Sequence, residues 1–515
     1  MENVSTEPSR MSTEPSLDAA RFPRTNERTM RPDAVTRAAR ALATYALVAV
    51  ALELGSGVLV DADARAAGAP RGFVFALFHA FMLGKFAGAL ATCVPPLPQL
   101  SMQMLAGVVL RNLPGPRAWI GSAVPRDGSY AFRALALGVI LTRAGLAMDA
   151  KKALATARET LSLAIVPASM EMLVASGLGM VFFGLTTAEA FALGFLMCGI
   201  SLAVVVPPMV ELTTEGARAE GARAEGPRAE GARFDPPFER KVPDLILSAS
   251  SIDGIYCIVG FGIVSSVVFA SSGGSANDLA WRVPAQLVVG GVGGWFLAEA
   301  SVRSSLLSSP GRANTAFMDA AVIVSVVMVI VFASKELETS GGGALMSIVF
   351  CVSVAQAWKR SGIEDALKAT SAVMNTFWAE FTAPMLFVII GCTLDLHVLE
   401  AGDAGKAIGI ICLAGVARAA GVFLATAKSA GMDLRERAFI ALAWTPKATI
   451  QAALASVVYD QALTTHGIDS DEAANGKKLL VTTLLSILIT APLGAWCIAY
   501  FAPKCLKREN KEVRV

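Results

Sequence analysis

From about residue 42 to residue 502 the sequence is a succession of apolar runs, near 42–60, 72–92, 97–112, 132–148, 160–183, 187–211, 243–270, 280–300, 315–333, 343–358, 372–394, 405–427, 438–459 and 479–502. A run of roughly 20 apolar residues is what an α-helix needs to cross hydrocarbon, and lipid offers no partner for an open backbone. The pattern therefore restricts the chain to helices that span a bilayer. With 54% hydrophobic and 17% charged residues over 515 positions, the composition is too apolar for a soluble multidomain protein. The expected fold class is an all-α polytopic membrane protein with about fourteen transmembrane helices. The runs 97–112 and 343–358 are short for a square crossing, so they are tilted, re-entrant, or longer than their apolar centres.

Charge orders the connections. A net charge of +2, from 44 basic and 42 acidic residues, leaves no footprint for nucleic acid. Lys and Arg concentrate on alternate connections, which places the N-terminus in the cytoplasm, and an even number of spans returns the C-terminus to the same side. The expected organisation is a disordered cytosolic tail at 1–40, where STEPS occurs twice, a transmembrane domain at 41–503 and a basic tail at 504–515. Within the domain, a cytosolic linker at 213–241 carries an EGARA repeat whose glycines and Pro227 weaken any helix. The eight cysteines are spread singly without CxxC spacing and read as small buried hydrophobes, with no metal or disulfide role. His79, His397 and His466 are far apart, and there is no nucleophile–base constellation or cofactor loop, so neither an enzyme nor a cofactor is expected.

Four basic residues fall inside the apolar runs: Lys85, Arg143, Arg418 and Lys447. Lys85 is within snorkelling reach and Arg143 is close to a span end. Lys447 is different, because it follows Pro446 in the middle of FIALAWTPKATIQAA. Pro446 removes a backbone donor and clashes with the carbonyl four residues back, so the helix must kink or open there. Open backbone at membrane depth must be covered by protein or line a cavity. A second break is expected in ISLAVVVPPM, at Pro207 and Pro208. Glu171 and Asp253 are acids inside runs, and each ionisable group costs at least about 2.5–3.5 kcal/mol at the membrane centre unless it faces a partner.

Set in order, spans five to seven carry an acid, a proline break and an acid. Spans twelve to fourteen carry a base, a proline break with a base, and a span with Pro492. The two triplets are seven spans apart, hence of opposite orientation. Two crossing broken helices in inverted repeats are the architecture of secondary transporters. The expected core is 160–270 without the linker, together with 405–502.

Six stretches then carry a resemblance: PPLPQLSMQMLAGVVLRNLP at 95–114, LTRAGLAMDAKKAL at 141–154, SLAVVVPPM at 201–209, VPDLILSASSIDGI at 242–255, AWTPKATIQAA at 443–453 and LLSILITAPLGA at 484–495. In these the chain resembles the NHA-type sodium/proton antiporters, a sodium/hydrogen exchanger-like branch of the cation:proton antiporter superfamily. The resemblance implies a homodimer with a dimerisation scaffold and a moving ion-binding core. It also implies exchange of Na+ or Li+, with K+ as a further substrate, for H+. By the same matching, Glu171 and Arg418 fall where the family has a buried acid–arginine pair, and Lys447 matches the lysine of the second crossing helix. The family's cation sits on two adjacent aspartates of the seventh span. Here the first is Asp253 and the second is Gly254.

Antiport needs a site that holds a proton or a cation but never both, and one desolvated carboxylate can do this. Asp253 is the expected carrier and the metal contact, for the transported monovalent cation alone. Ser250, Ser251 and Thr449 are expected to complete an oxygen shell for a hard cation. Asp244 is nine residues back, about 13.5 Å along the axis and on the opposite face, so it does not replace the missing acid. Gly254 keeps two alternatives open: a degenerate protein that does not transport, in which Asp253 forms a fixed ion pair with Lys447, and a carrier of another substrate on the same scaffold.

Overall fold

The computed structural model describes residues 43, 70–94, 96–113, 124, 129–148, 157–212, 241–268, 276–309, 314–337, 339–397, 399–429 and 431–507. Within them, helices lie over every expected span from 72–92 onward, while the run 42–60, the tail and the 213–240 stretch of the linker fall outside. In chain order these are α1 (Pro70–Ala91), α2 (Gln99–Asn112), α3 (Ser129–Ala147), α4 (Ala157–Phe183), α5 (Thr187–Cys198), α6 (202–212) and α7 (Lys241–Val268). They continue as α8 (Ala276–Arg303), α9 (Ala316–Glu336), α10 (Ser340–Arg360), α11 (Glu364–Phe377), α12 (Ala383–Gly391), α13 (Ala401–Thr426), α14 (Leu434–Ala443), α15 (Thr449–Leu454), α16 (Val457–Thr465) and α17 (Asp471–Cys505). Nine of the described helices or helix pairs are long and apolar enough to cross a membrane. The chain is a multi-pass integral membrane protein.

Two boundaries differ from the apolar runs. The run 343–358 extends to Ser340–Arg360 because the flanking Gly341 and Gly342 are helical along with Gly343. Their lack of side chains brings α10 onto α7: a Cβ on Gly262 would sit 2.5 Å from the Gly341 Cα. The run 372–394 is one longer path, α11 to α12, joined by a π-helical turn at Trp378–Thr382. Pro384 follows directly, and the wider turn accommodates a residue that has no amide to donate.

The core pairs α4 with α13 and packs α5, α7, α14 and α17 around them. α4 and α13 approach closely at Pro167, where a Cβ on Gly421 of α13 would lie 2.6 Å from the Pro167 Cα. That close packing brings Glu171, one turn after Pro167, opposite Arg418, one turn before Gly421.

The interruption between α5 and α6 is at 199–201, and Pro207 and Pro208 lie inside α6. The expectation of a break at the prolines is thus corrected. The helix opens where its freed backbone groups find partners from other helices, and Gly199 is the residue that yields. The Ser201 amide donates to the Pro446 carbonyl at 2.8 Å, so the two interruptions bond to each other. The second interruption is where Pro446 predicts it: α14 stops at Ala443, and α15 resumes at Thr449. Pro446 rests on α17 over Gly494, where a Cβ would come within 2.2 Å of the proline ring.

Candidate functional site

Four ionisable side chains meet at this crossing. Glu171 (α4) and Asp253 (α7) have no solvent exposure, and Arg418 (α13) and Lys447 (the 444–448 interruption) retain 2%. Arg418 sits at the centre. Its Nη1 donates to Glu171 Oε2 at 2.6 Å, its Nη2 to Asp253 Oδ1 at 2.9 Å and its Nε to the Trp444 carbonyl at 2.7 Å. Nη1 also donates to the Cys198 carbonyl. The other carboxylate oxygen of Asp253 accepts from the Ile200 amide at 2.8 Å. Lys447 Nζ lies 2.7 Å from Glu171 Oε1, an ion contact out of hydrogen-bond alignment, while its amide donates to Thr490 Oγ1 at 3.0 Å.

The sequence-level pairing of Glu171 with Arg418 therefore matches the geometry. The alternative pairing of Asp253 with Lys447 is corrected: Asp253 binds Arg418, and Lys447 lies against Glu171. A guanidinium presents five donors in a planar fork, so one arginine reaches two carboxylates and two carbonyl ends at once. An ammonium on a narrow stem takes the acid oxygen left over. Two acids and two bases leave the cluster with no net formal charge.

The expected oxygen shell is rearranged. Ser250 and Ser251 turn their hydroxyl protons to the Leu247 carbonyl of their own helix, at 3.0 and 3.5 Å, which leaves their lone pairs. Thr449 is buried at the first turn of α15. Two residues that sequence reasoning passed over stand at the interruptions. Gln451 donates its Nε2 to the carbonyls of Leu196 and Gly199, at 3.0 and 2.8 Å. Its Oε1 and the Ser201 Oγ are buried without a hydrogen bond among the described residues. An amide in the apolar run ATIQAAL, one turn after Lys447, was the legible signal for Gln451. Nothing marked Ser201, because the first break was sought at the prolines. Beside Arg418 lies a cavity of about 30 Å³, bordered by Glu171, Thr445, Lys447 and Thr490, with room for one water.

Gly254 is open enough for a Cβ, which would meet Ile450 Cδ1 at 3.4 Å and Leu202 Cδ1 at 3.9 Å, both apolar. Asp244 is exposed at the start of α7 while Asp253 is buried, so the two are not interchangeable. Lys85, read as snorkelling, pairs with Glu380 at 2.5 Å, and Arg143 donates to Asn375 at 2.9 Å. Among the described residues no group of three His, Cys, Asp or Glu side chains is placed to hold a resident metal.

Interrupted helices that cross over buried, mutually paired charges inside a lipid-spanning bundle are the architecture found in secondary transporters. The sequence profile of the sodium/hydrogen exchanger transmembrane family matches residues 237–500. Mouse (Mus musculus) sodium/hydrogen exchanger 9B2 is 30% identical over 442 residues, 85% of this chain and 74% of that protein. Human (Homo sapiens) sodium/hydrogen exchanger 9B1 is 29% identical over 447 residues, covering 85% and 79%. The solved structure of the sodium proton antiporter MjNhaP1 from Methanocaldococcus jannaschii superposes with a TM-score of 0.65 at 17% identity, over 84% of this chain and 98% of that one. The chain belongs to the sodium/hydrogen exchanger family, and its fold is that of the archaeal antiporter.

Proposed function

We propose that the protein exchanges Na+ or Li+, with K+ as a further substrate, for H+ by alternating access, and that Asp253 is the single carboxylate that carries both. The observation behind this reading is the bonding of Asp253. It is buried at the crossing and held by one backbone amide and one arm of a guanidinium whose other donors are engaged elsewhere. A cation that approaches Asp253 must displace Arg418 Nη2. Arg418 keeps Glu171 and the Trp444 and Cys198 carbonyls, so it releases Asp253 without becoming an unpaired buried charge.

A proton and a cation each cancel the same negative charge, so one excludes the other. Hard cations take oxygen ligands, and the unbonded Ser201 Oγ and Gln451 Oε1 are two candidates at the interruptions. Lone pairs of Ser250, Ser251 and Thr449 are the further donors of this reading. Lys447 remains with Glu171 throughout. One carboxylate then moves one cation against one proton, without net charge. We further infer inverted halves, about fourteen spans with both termini in the cytoplasm, and a homodimer built on the scaffold helices.

A second reading, a membrane protein that does not transport, is favoured by the same pairing, since four mutually compensated charges also make a rigid joint. Proteoliposomes with an imposed pH gradient separate the two. Wild-type protein is expected to couple Na+ or Li+ entry to proton exit at a rate indifferent to a potassium–valinomycin clamp. Asp253→Asn is expected to abolish that flux and to lower stability without unfolding the protein, because Arg418 still holds Glu171. Wild-type vesicles without cation-coupled proton movement would overturn the exchange reading.

A further inference from the structure

Cys198 ends α5 at the lip of the interruption, and Cys257 lies one turn beyond Asp253 on α7. Their distance in sequence hid what the crossing does to them: the two sulfurs are 3.1 Å apart, closer than the ~3.5–4.0 Å of ordinary non-bonded carbon contact. Both side chains are fully buried, in a small cluster with Ala168 and Met172 that Phe195 and Tyr256 close off. Cys198 and Cys257 are free and buried, as small hydrophobes would be, but the fold brings these two together. The other six lie on other elements, and Cys412 faces outward.

We propose that Cys198 and Cys257 are an oxidation site whose closure to a disulfide locks the crossing. A disulfide brings sulfurs to about 2.05 Å, so closure asks for a shift of about 1 Å between the end of α5 and α7. Both ends of that bond touch the ion site. The main-chain carbonyl of Cys198 accepts from Arg418, and Asp253 is the next turn of the helix that carries Cys257. A bond between them ties the interrupted helix to the helix of the carrier carboxylate, at the point where Arg418 must yield.

The chemistry needs a small neutral two-electron oxidant, for which hydrogen peroxide serves. One thiolate sulfur attacks a peroxide oxygen, the O–O bond breaks, and the released hydroxide takes the thiol proton as water, leaving a sulfenic acid. The second sulfur attacks that sulfenic sulfur, hydroxide leaves and takes the second thiol proton. Two thiols and one peroxide become one disulfide and two waters.

The inhibitory half of this proposal rests on the exchange function; the covalent half does not. Full-length protein in proteoliposomes is treated with hydrogen peroxide, alkylated after denaturation, and mapped by mass spectrometry, with flux measured in parallel. The expected result is a Cys198–Cys257 linked peptide that dithiothreitol removes, with Cys412 still alkylated. Flux should fall with the linkage and return on reduction, and Cys257→Ser should be active and insensitive to peroxide. Absence of the linked peptide, or random linkage among the eight cysteines, would overturn the site. Linked protein at full flux would overturn the lock. If wild-type protein shows no flux at all, the exchange reading fails, and the linked peptide alone still decides whether the site exists.

Discussion

Arg418 is the residue on which the others depend, since it bonds both acids and the carbonyl ends of both interruptions. Removing one partner of a buried ion pair typically costs about 3–5 kcal/mol, because the remaining charges are stranded away from water. Arg418→Ala is therefore expected to lower stability by at least that amount in denaturant titrations in detergent. A loss under 1 kcal/mol would mean water reaches the acids freely. Gly254 gives the opposite kind of test. A methyl group at this position meets Ile450 and Leu202 at ordinary contact distance, so Gly254→Ala should leave thermal stability near wild type. Gly254→Asp directs a carboxylate toward those apolar side chains, beside Asp253 and with no third base in the cluster. It should destabilise the protein sharply, and thermal melts of the two variants should differ accordingly. Similar melts would show that the crossing admits a second acid without rearrangement.

The elements explain why these charges meet. α4 and α13 approach so closely at Pro167 and Gly421 that neither backbone has room to give. Gly421→Leu forces the helices apart, and overpacking of this kind typically costs about 1–3 kcal/mol. The displacement falls within one turn of both Glu171 and Arg418, so flux should be lost before the fold is. A Gly421→Leu variant with wild-type flux would show that the ion cluster tolerates a wider helix pair. The interruptions obey a similar logic. A helix opened in lipid leaves carbonyls and amides without partners, and here Gln451, Arg418, Asp253 and Thr490 take them up. Pro446 opens α14 from α15 by local chemistry, whereas the gap at 199–201 is held open by what surrounds it.

Across the whole molecule, the core is continuous through contacts among α4, α5, α7, α13 and α17, and residues 213–240 of the linker lie outside the described residues. The apolar residues of the repeat from Glu215 to Arg233 are alanines and the single Pro227, and solvated Glu–Arg pairs at its spacing would add a few tenths of a kcal/mol each at most. Deleting Glu215 to Arg228 is expected to leave both melting temperature and flux unchanged, since the cost of closing a connection varies slowly with its length. A fall in flux at constant melting temperature would assign the repeat a gating role.

The one-dimensional pattern carried the lipid-spanning helices, the break at Pro446 and the burial of Glu171, Asp253, Arg418 and Lys447. Apolar run length, proline stereochemistry and the cost of charge in hydrocarbon are all local properties of a sequence. The Glu171–Arg418 pairing was legible too, through a family likeness. Four things were decided by the tertiary structure: the opening at Gly199 rather than at Pro207 and Pro208, the bond from Arg418 to Asp253, the part played by Gln451 and Ser201, and the contact of Cys198 with Cys257. Each depends on which groups from distant segments arrive at the same crossing. Hydrogen-bond partners and sulfur contacts are set by that three-dimensional arrival, on which spacing along the chain is silent.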